Sequence, residues 1–309
     1  MNVYVGVDCG ATNLRVGVAD ESGRVIASSK VPSPLRSHPL KFAEKIKEQV
    51  DLLLEGKEHR VLAIGVGMPG PIDLKKGVIL PSANLGNLEP IDLTRQFETV
   101  FGVPAYFDRD TNLALIGEVW RGAAVNKKEV VMLTLGSGVG GAVMVDGKID
   151  RGATGKGGEM GHIILWMEVP PKQELIKRHF CVGGKDWDPA TMVLTHPQVS
   201  LKKGQITFHC GLGHENCLEA LINSAKSVDE LGTYLGYGIA NLVDIFNPQA
   251  VIIGGGKLNI GDFLPQAVCV MKEVGMKPAV DEVEVSYAKL KELSGVYGGI
   301  KIAIEGTYD

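Results

Sequence analysis

Three turns and one acidic tripeptide carry residue types and spacings that could do chemistry. Asp110 stands in Asp108-Arg109-Asp110, between a short apolar stretch at 103–107 and a helix-like stretch at 111–121. A carboxylate there either caps the helix or acts as a general base, taking a proton from a hydroxyl as it attacks a γ-phosphate; both readings stay open. Asp8-Cys9-Gly10-Ala11-Thr12-Asn13 joins two apolar strands, 3–7 and 14–18. Such a turn offers phosphate a hydroxyl and free backbone N–H groups, with Asp8 available to a magnesium shell and Arg15 placed to neutralise phosphate charge. A second turn, Gly136-Ser137-Gly138, lies between strands 130–135 and 142–145, and Gly140 and Gly141 read as part of it. A third, Gly254-Gly255-Gly256, follows strand 250–253 and would let an adenosine ring approach the backbone. Each alone also fits a tight glycine hairpin with no ligand. Two phosphate-type hairpins, each opening one half of the chain, suggest a nucleotide clamped between two domains.

The elements that must hold these residues follow from periodicity. Strands at 27–32 and 60–66 flank a helix from Pro39 to about Leu54, in which Phe42, Ile46, Val50 and Leu53 share one face. That order, strands and then a crossover helix to a parallel strand, is α/β. Further helices are expected at about 93–101, 228–246 and 263–274, a strand at 283–286, and a last helix at about 295–306. The chain of 309 residues is long enough for two domains with substantial cores. A net charge of -4 gives no electrostatic argument for nucleic acid or membrane as partner. No apolar run reaches the ~20 residues of a membrane span, and the chain opens directly on a strand, so neither a signal peptide nor an N-terminal DNA-binding helix pair is expected. Five cysteines, an odd number, argue against a disulfide framework and for a cytoplasmic protein.

Several stretches, in order along most of the chain, resemble the ROK family of repressors, uncharacterised reading frames and sugar kinases, within the actin-like ATPase superfamily. They are Asp8 to Asn13, Gly65-Val-Gly-Met-Pro-Gly-Pro71, Asn84-Leu-Gly86, Asp110-Thr-Asn112 with Gly117-Glu118, Leu135 to Ala142, Gly158-Glu159-Met-Gly-His162, Cys217-Leu-Glu219 and Ile253 to Gly256. The resemblance implies two ribonuclease H-like domains, 1–117 and 118–309, with ATP in the cleft between Gly10, Ala11 and Thr12 on one side and 136–138 and 254–256 on the other. It implies that the last helix packs back on the first domain and that Asp110 is the base. Asn84, Glu159, His162 and Glu219 are implied sugar contacts, although a loop Asn is usually a turn former and a lone Glu/His pair usually a surface feature. Arg109 stands where the family carries a sugar-contacting Asn. It joins the substrate set and leaves the sugar preference open.

In the family His162 also ligates zinc with three cysteines, the middle one at Leu212 here. Cys210, Cys217, His162 and either His214 or His209 would make a mixed tetrahedral set, unless the cysteines are merely buried. Residues 165–205 depart from the family and read as an insertion of loop, strand and short helix, a lid or an oligomer contact. The function expected is an ATP-dependent kinase of glucose or an N-acetyl or amino hexose, with Mg2+, a structural Zn2+ and a homodimer or higher homo-oligomer. The alternative is a non-catalytic sugar-sensing member of the family. A protein-binding ATPase of the same fold would leave Asn84, Glu159 and Glu219 unexplained.

Overall fold

The computed structural model describes residues 1–10, 12–35, 37–70, 72–73, 76–79, 90–165, 187–188, 193–194, 199–202, 205–208, 210, 214 and 216–306. Ala11, Asn84, His209 and Leu212 lie outside them, as does most of the expected insertion. Beyond Leu165, where that insertion is described it is strand, at Trp187–Asp188, Val193–Leu194, Val199–Lys202 and the start of Gln205–Phe208.

Two five-stranded sheets are built on one plan. The first contains β1 (Asn2–Cys9), β2 (Asn13–Ala19), β3 (Val25–Pro32), β4 (Arg60–Met68) and β5 (Ala105–Arg109), in the order β3-β2-β1-β4-β5. The second contains β6 (Val130–Leu135), β7 (Val139–Val145), β8 (Lys148–Ile149), β9 (Ala250–Gly254) and β10 (Glu284–Tyr287), in the order β8-β7-β6-β9-β10. In each, two antiparallel hairpins are followed by two parallel strands. The 10–13 turn and the 136–138 turn therefore occupy equivalent places, each joining the first two strands of its sheet. Val3, Val5 and Val7 of the central strand β1 have no exposed surface, and Gly6 on its opposite face is buried as well.

Helices α1 (Phe42–Leu53) and α2 (Leu93–Phe101) cover one face of the first sheet, where Phe42, Phe97 and Phe107 pack together. Helix α2 starts at Asp92, whose side chain accepts the Arg95 N–H, and stops at left-handed Gly102. On the second sheet α4 (Leu218–Ser224), α5 (Val228–Phe246) and α6 (Leu264–Val274) share a core with β6, β7 and β9.

Helices α3 (Asp110–Arg121) and α7 (Ser294–Glu305) complete the fold by exchange. Helix α3 leaves the last strand of the first sheet, yet Ala114 and Leu115 pack with Val130, Met132, Ala142 and Ile252 of the second. Helix α7 leaves the second sheet, yet lies on the first, where Gly6 and Gly17 admit Val296 and Gly65 admits Gly299. The two helices cross in backbone contact, because a Cβ on Gly298 would run into the Leu113 carbonyl and one on Gly117 into that of Ser294. Beside the crossing, the Glu118 carboxylate is fully buried and accepts the N–H groups of Ala123, Lys289 and Leu290 at 2.7, 3.0 and 2.9 Å and the Ser294 hydroxyl at 2.7 Å.

Three sequence expectations need correction. Strand β5 runs through Asp108 and Arg109 instead of ending at Phe107, because both charges find partners inside the fold (below). Helix α3 begins at Asp110, one residue early, and its cap position is Arg109, so Asp110 is not the N-cap. Gly140 and Gly141 belong to strand β7 and not to the turn. Their missing side chains make room for Thr111 of α3 and for Gly158 and Met160.

Candidate active site

Asp8, Gly67 and Asp108 lie in register at the carboxyl ends of β1, β4 and β5, where open α/β sheets present ligands. Gly67 has no side chain, and a Cβ there would lie 3.2 Å from the Asp110 Cα. The start of α3 thus rests on the strand end beside Asp8. Burial pushes the Asp110 carboxyl up to about 7, and the charge of Asp8 adds to the rise. The Thr111 N–H, 2.8 Å from Oδ1, and Arg109 oppose it, while Glu159 reinforces it. A carboxylate that titrates near neutrality is poised to accept a proton. Burial also pushes Asp8 up to about 6, against the Arg15 guanidinium, whose Nη1 is 3.7 Å from Oδ2. Arg15 is shared with Glu292, at 3.2 Å from Nη2, so its charge is already partly neutralised by protein.

Residues 109 and 157–162 bring the substrate candidates together. Arg109 is 8 % exposed; it donates to the Gly157 carbonyl and its Nη2 lies 3.0 Å from Glu159 Oε1. Glu159 Oε2 is 4.0 Å from His162 Nε2. Below them Asp108 has no exposed surface and is paired throughout. It accepts from Asn112 Nδ2 at 2.8 Å, from its neighbour's backbone N–H at 2.7 Å, and from Arg151 Nη2 at 2.7 Å. Sequence reasoning missed Asp108 and Arg151. No local pattern links residues 43 apart, and the only hint was an acidic residue ending an apolar strand.

His162 Nδ1 is 3.8 Å from Cys210 Sγ, and the donor atoms of His162, Cys210 and Cys217 all lie within 4.8 Å of one another. Both cysteines are buried, and the His214 ring stands edge-on to His162 with centroids 4.7 Å apart. Three soft donors at this spacing suit zinc. Burial raises the Cys217 thiol to about 11, while the Ala220 N–H, 3.4 Å from its sulfur, opposes the rise.

The other two turns form a second centre. Gly136 N–H closes the 136–138 turn onto the Gly138 carbonyl at 2.9 Å. Gly255, at φ +99°, abuts Leu135 so closely that a Cβ would collide with its backbone, which sets the 254–256 turn alongside the 136–138 turn. Glu219 also faces this centre: its Oε2 accepts the Val139 N–H at 2.9 Å. Across the fold, Gly10 N–H closes the first turn onto the Asn13 carbonyl at 2.8 Å. The structure therefore groups Asp8, Arg15 and Asp110, groups Arg109, Glu159 and His162, and sets Glu219 on the 136–138 turn.

A protein-family model described as the ROK family matches residues 4–225 and 222–305. The chain belongs to the ROK family. It is 29% identical over 314 residues to a glucokinase of Halalkalibacterium halodurans, covering 96% of this chain and 93% of that one. It is 25% identical over 325 residues to a xylose repressor of Caldicellulosiruptor bescii, covering 97% of this chain and 77% of that one. Among solved structures it resembles a ROK hexokinase from Thermus thermophilus, with a TM-score of 0.72 at 26% identity over 99% of this chain and 100% of that one. The hexokinase structure agrees with the fold, and the glucokinase and the hexokinase support a sugar kinase as the enzyme class. Among the described residues no helix is long and apolar enough to cross a membrane.

Proposed function

We propose that this ROK protein is an ATP-dependent kinase of a hexose, either glucose or an N-acetyl or amino hexose, with Asp110 as general base. The observation that carries the reading is the placement of the Asp110 carboxyl at the start of α3, on the strand ends beside Asp8 and next to the Arg109–Glu159–His162 group. A sugar hydroxyl attacks the γ-phosphorus, its proton passes to Asp110, and ADP leaves. The 10–13, 136–138 and 254–256 turns supply backbone N–H groups to the phosphates and room for adenosine. Asp8 would hold the Mg2+ that arrives with ATP, and that ion would neutralise phosphate charge. Glu159, His162, Arg109 and Asn84 would take sugar hydroxyls, and Glu219 would serve the sugar from its place on the 136–138 turn. His162, Cys210 and Cys217 would hold a structural Zn2+, with His214 as fourth ligand. Residues 1–117 and 118–309 would act as the two domains of the cleft. ADP release measured over a panel of hexoses, with and without Mg2+, tests the reading; no release with any sugar would remove it.

The likeness to a xylose repressor favours a second reading, a sugar-binding member without turnover. The Arg109–Glu159 pair is compatible with it, since both side chains spend donors and acceptors on each other. Calorimetric binding of a hexose with no ADP formed would decide for that reading.

A further inference from the structure

Helix α4 faces the 136–138 turn with two polar side chains one helical turn apart, Glu219 and Asn223. Glu219 takes the N–H of Val139 on one flank of the turn. Asn223 holds the middle of the turn, its Nδ2 donating to the Ser137 carbonyl at 3.2 Å. Asn223 is then used a second time. Its Oδ1 accepts from Lys257 Nζ at 2.6 Å, and Lys257 follows directly on Gly254-Gly255-Gly256. One amide thus ties together the two glycine turns. An ammonium carries three donors, and the one bond to Asn223 leaves others for an anion at the same place. Partial burial lowers the Lys257 ammonium below its usual range, and the nearby charge of Glu219 opposes that fall.

We propose that Asn223 and Lys257 are a positioning pair for the nucleotide: Asn223 sets the 136–138 turn against the 254–256 turn, and Lys257 presents its charge to the phosphates of ATP. The assignment rests on the ATP-dependent reading above and goes beyond it, since neither residue stands in a glycine motif. It is a claim about the nucleotide and not about the sugar. Asn223 lies on α4 and Lys257 directly after the 254–256 turn, whereas Arg109, Glu159 and His162 lie on β5 and the 157–162 segment.

Asn223 is exposed and Lys257 half-buried, so both can be changed without opening the core. The experiment measures affinity for a non-hydrolysable ATP analogue by calorimetry, then KM for ATP, KM for the sugar, and the thermal midpoint. The proteins are the parent, Asn223→Ala, Lys257→Met, Lys257→Arg and the Asn223→Ala/Lys257→Met double variant. Removing a hydrogen bond to a charged group should weaken nucleotide binding about tenfold in either single variant. The double variant should be little worse than either, because the two act as a unit. Lys257→Arg should keep most of the parent's affinity, and sugar KM and thermal midpoint should stay near parental values throughout. Asn223→Ala binding the analogue within twofold of the parent would overturn the proposal, as would equal rises in both KM values or single effects that add in full. A parent chain that binds no ATP would overturn the kinase reading and this one together.

Discussion

At Asp110 a single atom separates the base from a mere polar contact. Asp110→Asn keeps the side chain's size and the oxygen that accepts the Thr111 N–H, but cannot take a proton. Turnover should fall roughly 10²–10⁴-fold, while ATP affinity, held by the turns, hardly changes; turnover within a few-fold of the parent would clear Asp110 of the role. The pH dependence carries a second expectation. With its carboxyl at about 7, the parent's kcat/KM should rise with pH and level off above that value. Stability should move the other way. The folded state keeps the Asp110 proton up to about pH 7, whereas the unfolded chain loses it near the ordinary 3.8. Between those values the native state binds more protons, so raising the pH through the window costs stability. Asn does not ionise. The variant's thermal midpoint should therefore exceed the parent's at pH 8 and converge on it toward pH 4; a parental midpoint at both pH values would refute the raised carboxyl.

Among the elements, the buried Glu118 carboxylate joins α3 to the residues that lead into α7. Glu118→Ala would leave the Ala123, Lys289 and Leu290 N–H groups without their side-chain acceptor, while the Ser294 hydroxyl would keep the Lys291 carbonyl. It should cost about 3 kcal/mol or more in denaturant unfolding, and a loss under 1 kcal/mol would show that the crossing is held by packing alone. The cysteine cluster makes a comparable junction. The Leu218 N–H donates to Ile163 at 2.9 Å and the Leu165 N–H to Asn216 at 2.8 Å, joining the His162 segment to α4. If zinc sits there, a chelator should lower the parent's thermal midpoint and leave Cys210→Ser unmoved, because the variant has already lost a ligand. Most of these elements were legible in the sequence. Apolar alternation and Asn/Gly turns are local signals, so the strands of both sheets and the span of α2 could be read directly. What could not be read was pairing. Asp108 stood out only as part of the acidic tripeptide, because Arg151 is 43 residues away, and Glu118 only as part of a family-like stretch, because Lys289 and Leu290 lie 171 and 172 residues on. Glu219 was placed with the sugar by motif, and only the fold shows it on the 136–138 turn.

In the molecule as a whole, two latches cross from the first sheet to the segment after β8. They are Asp108 to Arg151, deeply buried, and Arg109 to Glu159, nearer the surface. Both leave from the end of β5, so the candidate site lies where the first sheet meets the segment that follows β8. The exchanged helices have a consequence for synthesis. A nascent chain completes β4 at Met68, but the helix that covers β1 and β4 begins at Ser294, 226 residues later (294 − 68). At ribosomal speeds that is roughly 10–45 s, during which one face of the first sheet has no partner of its own. Waiting is built into the order of the genetic message. A chain stopped at residue 290 should therefore stay protease-sensitive and chaperone-bound, and a peptide carrying Ser294–Glu305 added in trans should restore resistance. Protection of the truncated chain without that peptide would mean that the first half can close on itself before its last helix is made.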